Sequence, residues 1–427
     1  MDTCIRFCVY NHKLTFKDNN LLTRKFIVLK NKQGLIVFTD FHKYIRPPRQ
    51  TVRNISDDGN NRFDFIVKLL NFAFFDSYNI KALDELNVDI VKDFLNAYGK
   101  GTLPGDSKGR TRNTVETCIR AIMDFLEIYL EDKHSKSQLK KGDLFKMVPK
   151  RNKHGKIVYK KVPVFEVNYH SKHRAIFRDM PNIVFEILFT HIATYHKDLL
   201  MLVALSAFAG LRPSEACNVR REDSPLGPGI LFSIYDDEVR KIEIDLSSEQ
   251  CLRSDLIPTG KIKKERKQTV PLLFTDAFVN TYNQYMTYMD GRKYEAAYGA
   301  LSVNRQGKAI TYDNYYQKFR KIVKEELIPI LLSDEDPEVI NYGRLLLENN
   351  ISPHIFRHWY TVQLVLTGMD NVSELMQARG DSHPESALVY LQNKGDIEKQ
   401  YRKVNNEMFD YIRWAAKKKH MEATLYD

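Results

Sequence analysis

Apolar residues recur along this chain with two different periods, and the switches between them divide it. In the first fifty residues the apolar runs are short and β-prone, Phe26-Ile27-Val28-Leu29 and Leu35-Ile36-Val37-Phe38. Asn31-Lys32-Gln33-Gly34 between them reads as a turn, which predicts a small β-hairpin unit. Pro47-Pro48 breaks the chain soon after. From about Asn61 the period becomes helical. Phe63, Ile66, Leu70, Ala73 and Phe74 fit one face; Val88, Ile90, Val91, Phe94 and Leu95 fit a second. Thr114 to Leu130 fits a third, with Val115, Ile119, Ile122, Met123 and Leu126 on one side.

Beyond a polar stretch the helical signal returns near Pro181, through Ile183, Val184, Ile187 and Leu188. Met201 to Ala209 is almost wholly apolar, which predicts a buried helix, and Gly210 suits its C-terminus. Residues 229–274 are strand-like, in Ile230–Tyr235, Lys241–Ile244 and Thr269–Leu272, and helices resume from Asp276. No internal repeat is visible. The pattern predicts an α+β chain, mainly α, with a small antiparallel sheet embedded in its C-terminal half. It divides into a β-rich unit over 1–55, a helical domain over 56–135, a basic linker over 136–174 and a mixed domain over 175–427.

Composition narrows the choice of partner. The chain has 427 residues, enough for two or three domains, and its 43% hydrophobic content supplies real cores. Its 65 Lys and Arg against 54 Asp and Glu leave a net charge of +11. That excess favours a polyanion, either nucleic acid or an anionic membrane surface. No apolar run approaches the roughly 20 residues needed to span a bilayer. Met1–Tyr10 lacks an apolar signal core, so the expected location is cytoplasmic. Five cysteines at scattered positions (Cys4, Cys8, Cys118, Cys217, Cys251) read as reduced thiols. Lys133 to Lys161 is strongly basic, with Asp143 its only acid, and reads as a linker able to lie along phosphates. The glycine-rich basic loop from Gly99 to Arg112 is either a DNA-backbone contact or a solvated connection.

Four short segments carry candidate chemistry. In Gly210-Leu211-Arg212-Pro213-Ser214-Glu215, Pro213 is placed to open a helix, so Arg212 sits at a rigid junction from which its planar fork can meet a phosphate. Glu215, one turn along, can orient it. In Ser352-Pro353-His354-Ile355-Phe356-Arg357-His358, Ser352 reads as the N-cap and Pro353 as the first helical residue. His354 and Arg357 then share a face near a helix N-terminus, where an anion is favoured. Ile355, Phe356, Trp359, Val362 and Leu366 read as that helix's buried face, and His358 as structural. The third segment is a basic turn from Gly260 to Gln268 with Lys261 and Lys263. The fourth is Gly380 to Tyr390, in which Ser382 and Glu385 resemble a capping box and place Tyr390 on a short helix. Each taken singly has a plain structural explanation: a surface ion pair, an amphipathic helix, a solubilising hairpin tip, a packed tyrosine.

Together, and in this order, the four segments resemble the tyrosine recombinase (phage integrase) family over roughly residues 175–415. Arg212 and Glu215 match its first box, Lys261 or Lys263 its hairpin lysine with Lys261 preferred, and His354 and Arg357 its His-x-x-Arg. His358 also fits, and Tyr390 matches the nucleophile. Where the family has His or Trp after a glycine, this chain has Asp381 after Gly380, and His383 is the candidate replacement imidazole. The resemblance implies a helical core-binding domain joined to a catalytic domain in a C-shaped clamp around double-stranded DNA. It also implies four protomers at synapsis, with accessory proteins as further partners, the 397–427 tail packed on a neighbouring protomer or on its own domain, and no cofactor or metal.

The implied reaction is DNA strand breakage and rejoining. Tyr390 would attack the scissile phosphate to give a 3′-phosphotyrosine, with Arg212 and Arg357 on the non-bridging oxygens. His354 would assist proton removal or hold the phosphate, and the hairpin lysine would protonate the leaving 5′ oxygen. The expectation is a site-specific recombinase, the integrase of a mobile element. Two alternatives stand beside it: a catalytically decayed recombinase-fold DNA-binding protein, favoured by Asp381, and a type IB topoisomerase-like enzyme.

Overall fold

A computed structural model describes residues 5–15, 21–45, 62–106, 109–133, 136–151, 157–169 and 180–381, together with Pro384, Ala387 and Tyr390. The chain forms two compact units, one reaching to Arg174 and the other beginning at Ala175. His383, the candidate capping pair Ser382 and Glu385, and the 397–427 tail lie outside the described residues.

In the first unit, β1 (Arg6–Thr15), β2 (Leu21–Lys30) and β3 (Ile36–Phe38) form a three-stranded sheet in that order. The expected hairpin is its β2–β3 half, paired Val28↔Phe38 and Lys30↔Ile36. β1 has no clean alternation to announce it. Helices α1 (Arg62–Asn71), α2 (Val88–Lys100) and α3 (Arg112–Lys133) bury the faces their periodicity marks. Phe63, Ile66, Leu70, Phe94, Leu95, Ile122 and Leu126 share one core. Asn87 caps α2 by accepting a bond from the Ile90 amide at 3.0 Å. In the basic stretch, a single helical turn, α4 (Lys141–Leu144), leads into β4 (Phe145–Arg151), which pairs antiparallel with β5 (Ile157–Pro163). That hairpin is mostly exposed, so no apolar alternation revealed it.

The second unit is built around α6 (Lys197–Phe208), buried on every side from Leu199 to Phe208. Against it pack α5 (Asn182–Tyr195), α8 (Leu272–Met289) and α12 (His354–Leu366). The Phe185 and Trp359 rings stack face to face with centroids 3.8 Å apart, and the Trp359 indole N–H donates to Asn182 Oδ1 at 2.8 Å. One antiparallel sheet, β6 (Ile230–Tyr235), β7 (Glu238–Leu246) and β8 (Arg266–Thr269), lies in that order. Ile242, Ile244 and Leu246 alternate into the core. The expected third strand over Thr269–Leu272 ends at Thr269, since Pro271 cannot donate to a ladder and opens α8 instead. After α8 come α9 (Tyr312–Ile322), a π-helical turn at Val323–Leu327, α10 (Ile328–Leu332) and α11 (Pro337–Glu348). No described helix is long and apolar enough to cross a membrane.

Phe185→Ala removes a ring that is 1% exposed and stacked on Trp359. It should lower the unfolding free energy by about 3–5 kcal/mol in urea titrations.

Candidate active site

Gly210 ends α6 in the left-handed region at φ +65, and a Cβ there would collide with the Tyr360 ring. This tight exit sends the chain directly into α7 (Pro213–Ala216), with Arg212 as its N-cap residue. The Glu215 side chain returns to accept from the Arg212 amide at 3.1 Å and from Arg212 Nη1 at 3.0 Å. Arg212 is thus set by both its backbone and its side chain.

Glu215 is fully buried and gathers charge from a second direction. Arg266 on β8 donates to it through Nη1 at 3.3 Å and Nη2 at 3.0 Å, and the Lys263 amide donates at 3.3 Å. Burial pushes the Glu215 carboxyl up, but Arg266 and then Arg212 outweigh it and hold it below the usual carboxylate range. Arg266 also donates to Gln268, and Gln268 to the Ala378 carbonyl, which ties the sheet to α13 (Val372–Arg379). The Lys261 carbonyl accepts from Ser214 Oγ at 3.0 Å. Both candidate lysines therefore belong to a turn whose backbone is anchored to the arginine box.

Arg357 on α12 is 1% exposed. Its Nη1 donates to the Gly210 carbonyl, and its Nη2 to the Arg379 carbonyl at 2.7 Å and Asp381 Oδ1 at 2.8 Å. The same Asp381 oxygen accepts from Arg212 Nη2 at 2.6 Å, and the other carboxylate oxygen accepts from Arg379 Nε at 2.7 Å. One carboxylate therefore bonds three guanidinium groups from three parts of the chain. Burial raises the Asp381 carboxyl, but Arg357, Arg379 and Arg212 together hold it below its ordinary value. Burial and its arginine neighbours pull Arg357 downward, yet a guanidinium so fully bonded stays charged. Four guanidinium groups face two carboxylates, an excess of two positive charges.

Tyr390 is 5% exposed and borders this cluster. Its ring lies under the Arg379 guanidinium at 5.0 Å, and its hydroxyl contacts His358 Nδ1. With the imidazole proton on Nε2, Nδ1 accepts from the tyrosine O–H. The imidazole on the hydroxyl is thus His358, which the sequence reading took as structural. His354 meets His358 edge-to-face at 4.8 Å, one turn below. Burial first, then the charges of Arg357, Arg379 and Arg212, pull the His354 pKa down to about 4, so it is neutral at physiological pH.

The structure accordingly brings together Arg212, Arg357, His354 and Tyr390, with the Lys261–Lys263 turn against the same box. Arg266 and Arg379 join them without having been singled out, and so does His358, which the sequence marked as fitting the pattern but as structural. For His358 the available signal was its spacing of four residues from His354, which puts both on the same helical face. Arg379 gave none, although its carboxylate partner Asp381 lies only two residues along, because no motif or periodicity marks it.

No family model matches the chain, and no curated protein sequence does. Among solved structures, the Tn1549 transposon integrase in complex with transposon right-end DNA aligns with a TM-score of 0.48 at 17% identity. That alignment covers 82% of this chain and 92% of that one. The XerH site-specific recombinase bound to its difH substrate aligns at 0.43 and 15% identity, covering 78% and 75%. XerA recombinase aligns at 0.33 and 14% identity, covering 85% and 95%. Likenesses of this size leave the functional reading to the site's own geometry.

Removing the shared carboxylate strands buried positive charge, so Asp381→Ala should cost about 3–5 kcal/mol of stability. A loss below about 1 kcal/mol in denaturant titration would contradict this arrangement. His354 gives a separate pH signature. Its folded pKa lies below the ordinary 6.5, so its contribution is complete above pH 6.5 and is lost as pH falls towards 4. The loss should reach about 3 kcal/mol, and His354→Asn should flatten that part of the stability–pH profile.

Proposed function

We propose that this chain is a tyrosine recombinase, a site-specific enzyme that cuts and rejoins DNA strands through a 3′-phosphotyrosine and serves as the integrase of a mobile element. One observation carries the reading. A tyrosine hydroxyl rests on an imidazole beside a seat where a single anionic oxygen bridges Arg212 and Arg357. A pair of guanidinium groups converging in this way can bind the non-bridging oxygens of a phosphate, and the excess positive charge favours them there. The chain's net charge of +11 agrees with a DNA partner.

In this mechanism a scissile phosphate displaces the Asp381 carboxylate and takes over its bonds to Arg212 and Arg357. The Tyr390 oxygen forms a bond to phosphorus as its proton passes to His358 Nδ1. The P–O5′ bond breaks, and the leaving oxygen takes a proton from Lys261, with Lys263 as the alternative donor on the same turn. The phosphotyrosine bond conserves the energy for a 5′-hydroxyl to reverse the step. His354, neutral and aligned with His358, holds that imidazole and the adjacent phosphate. His383 is the further candidate for the imidazole that Asp381 replaces. The resemblance adds a four-protomer synapse.

A second reading is favoured by Asp381 itself. The Nη atoms of Arg357 are all committed within the protein, as are those of Arg212. If Asp381 is never displaced, the chain binds DNA without cutting it.

Nicked suicide duplexes tiled from the DNA flanking the gene separate these readings. The recombinase reading expects a covalent adduct with the unaltered chain and none with Tyr390→Phe, while His358→Ala and Lys261→Ala slow adduct formation by roughly 10²–10⁴-fold. DNA binding without any adduct supports the second reading. An adduct that persists in Tyr390→Phe refutes the assignment of the nucleophile, and relaxation without strand exchange identifies a topoisomerase-like enzyme.

A further inference from the structure

We propose that His191, His196 and Glu326 form a binding site for a divalent transition-metal ion of the zinc class. The three residues share no side chain with the arginine cluster. His191 lies on α5, His196 at the junction between α5 and α6, and Glu326 on the π-helical turn between α9 and α10. Both imidazoles direct Nε2 at the same oxygen, Glu326 Oε2, each at 2.7 Å. The three ligand-type atoms all lie within 4.8 Å of one another.

The two rings, with centroids 5.6 Å apart, converge on one carboxylate oxygen from two different segments. Two imidazoles and one carboxylate are the ligand types of three-ligand zinc sites that keep an open position for water. The side chains are 13%, 16% and 33% exposed, which gives such a water access. Tetrahedral bonds of about 2.0–2.1 Å separate ligand atoms by about 3.3 Å, so each contact would open by roughly half an ångström. Glu326 is suited to this adjustment because a π-turn is a local departure from the regular helix, of the kind found at functional sites. His196, outside helical geometry at φ −130 and ψ 47, can adjust too. The ion would replace the two Nε2 protons and clasp the α5–α6 junction to the α9–α10 rod.

The test uses the full chain, stripped with a chelator and titrated with Zn²⁺ near pH 7.5 by calorimetry. The chain has other His and Cys residues, so the readout is the difference between variants. Glu326→Gln keeps shape and a hydrogen-bond acceptor, and His191→Ala with His196→Ala removes both rings. We expect one zinc-binding event of the unaltered chain to weaken at least about tenfold in each variant. We also expect Co²⁺ to show a tetrahedral visible spectrum only in the unaltered chain. Unchanged zinc stoichiometry and affinity in a folded Glu326→Gln protein would overturn the proposal and leave a hydrogen-bonded triad. Zinc binding needs no DNA, so its outcome is independent of any adduct at Tyr390.

Discussion

The second unit depends on one carboxylate among three guanidinium groups. Arg212 leaves α6 through a left-handed glycine, Arg357 points inward from α12, and Arg379 ends α13. Without Asp381 these charges would lie within hydrogen-bonding reach of one point in a poorly solvated space, where their repulsion is little screened. With it, the ends of three segments are fixed to one another. The helices supply the apolar packing, but this ionic junction determines where they meet. Both oxygens of that carboxylate are used, one by Arg212 and Arg357 and the other by Arg379.

Much of this was legible along the chain. Helical periodicity located α1, α2, α3, α6 and α12, because each buries one continuous apolar face or is apolar throughout. The β2–β3 pair followed from two short apolar runs on either side of turn residues, and β6 and β7 from strand-like runs. The exposed β4–β5 hairpin was not legible, since Lys-rich strands that pack against little leave no apolar period. Nor was the one-residue shift at α12, where Pro353 is the cap residue and the helix begins at His354.

At the site, local order made Arg212, Glu215, His354, Arg357 and Tyr390 visible as a set. Their pairing was not visible, because it depends on contacts such as Arg212 with Asp381, which are 169 residues apart. Asp381 is the instructive case. As a letter in the sequence it was a missing imidazole; in space it is the counter-charge of the whole cluster. The roles of the two histidines changed for a similar reason. One helical turn separates them, and the position of Tyr390, set by a distant segment, decides which ring meets the hydroxyl.

Arg266 fills the space where a side chain on Gly380 would begin, while its guanidinium grips Glu215. Gln268, two residues along the same strand, holds the end of α13 through the Ala378 carbonyl. The strand following the lysine turn is therefore bolted to the arginine box on one side and to the approach to Asp381 on the other. The lysine turn and the arginine cluster are thereby held as one body, so that a displacement of either is transmitted to the other through a single short strand.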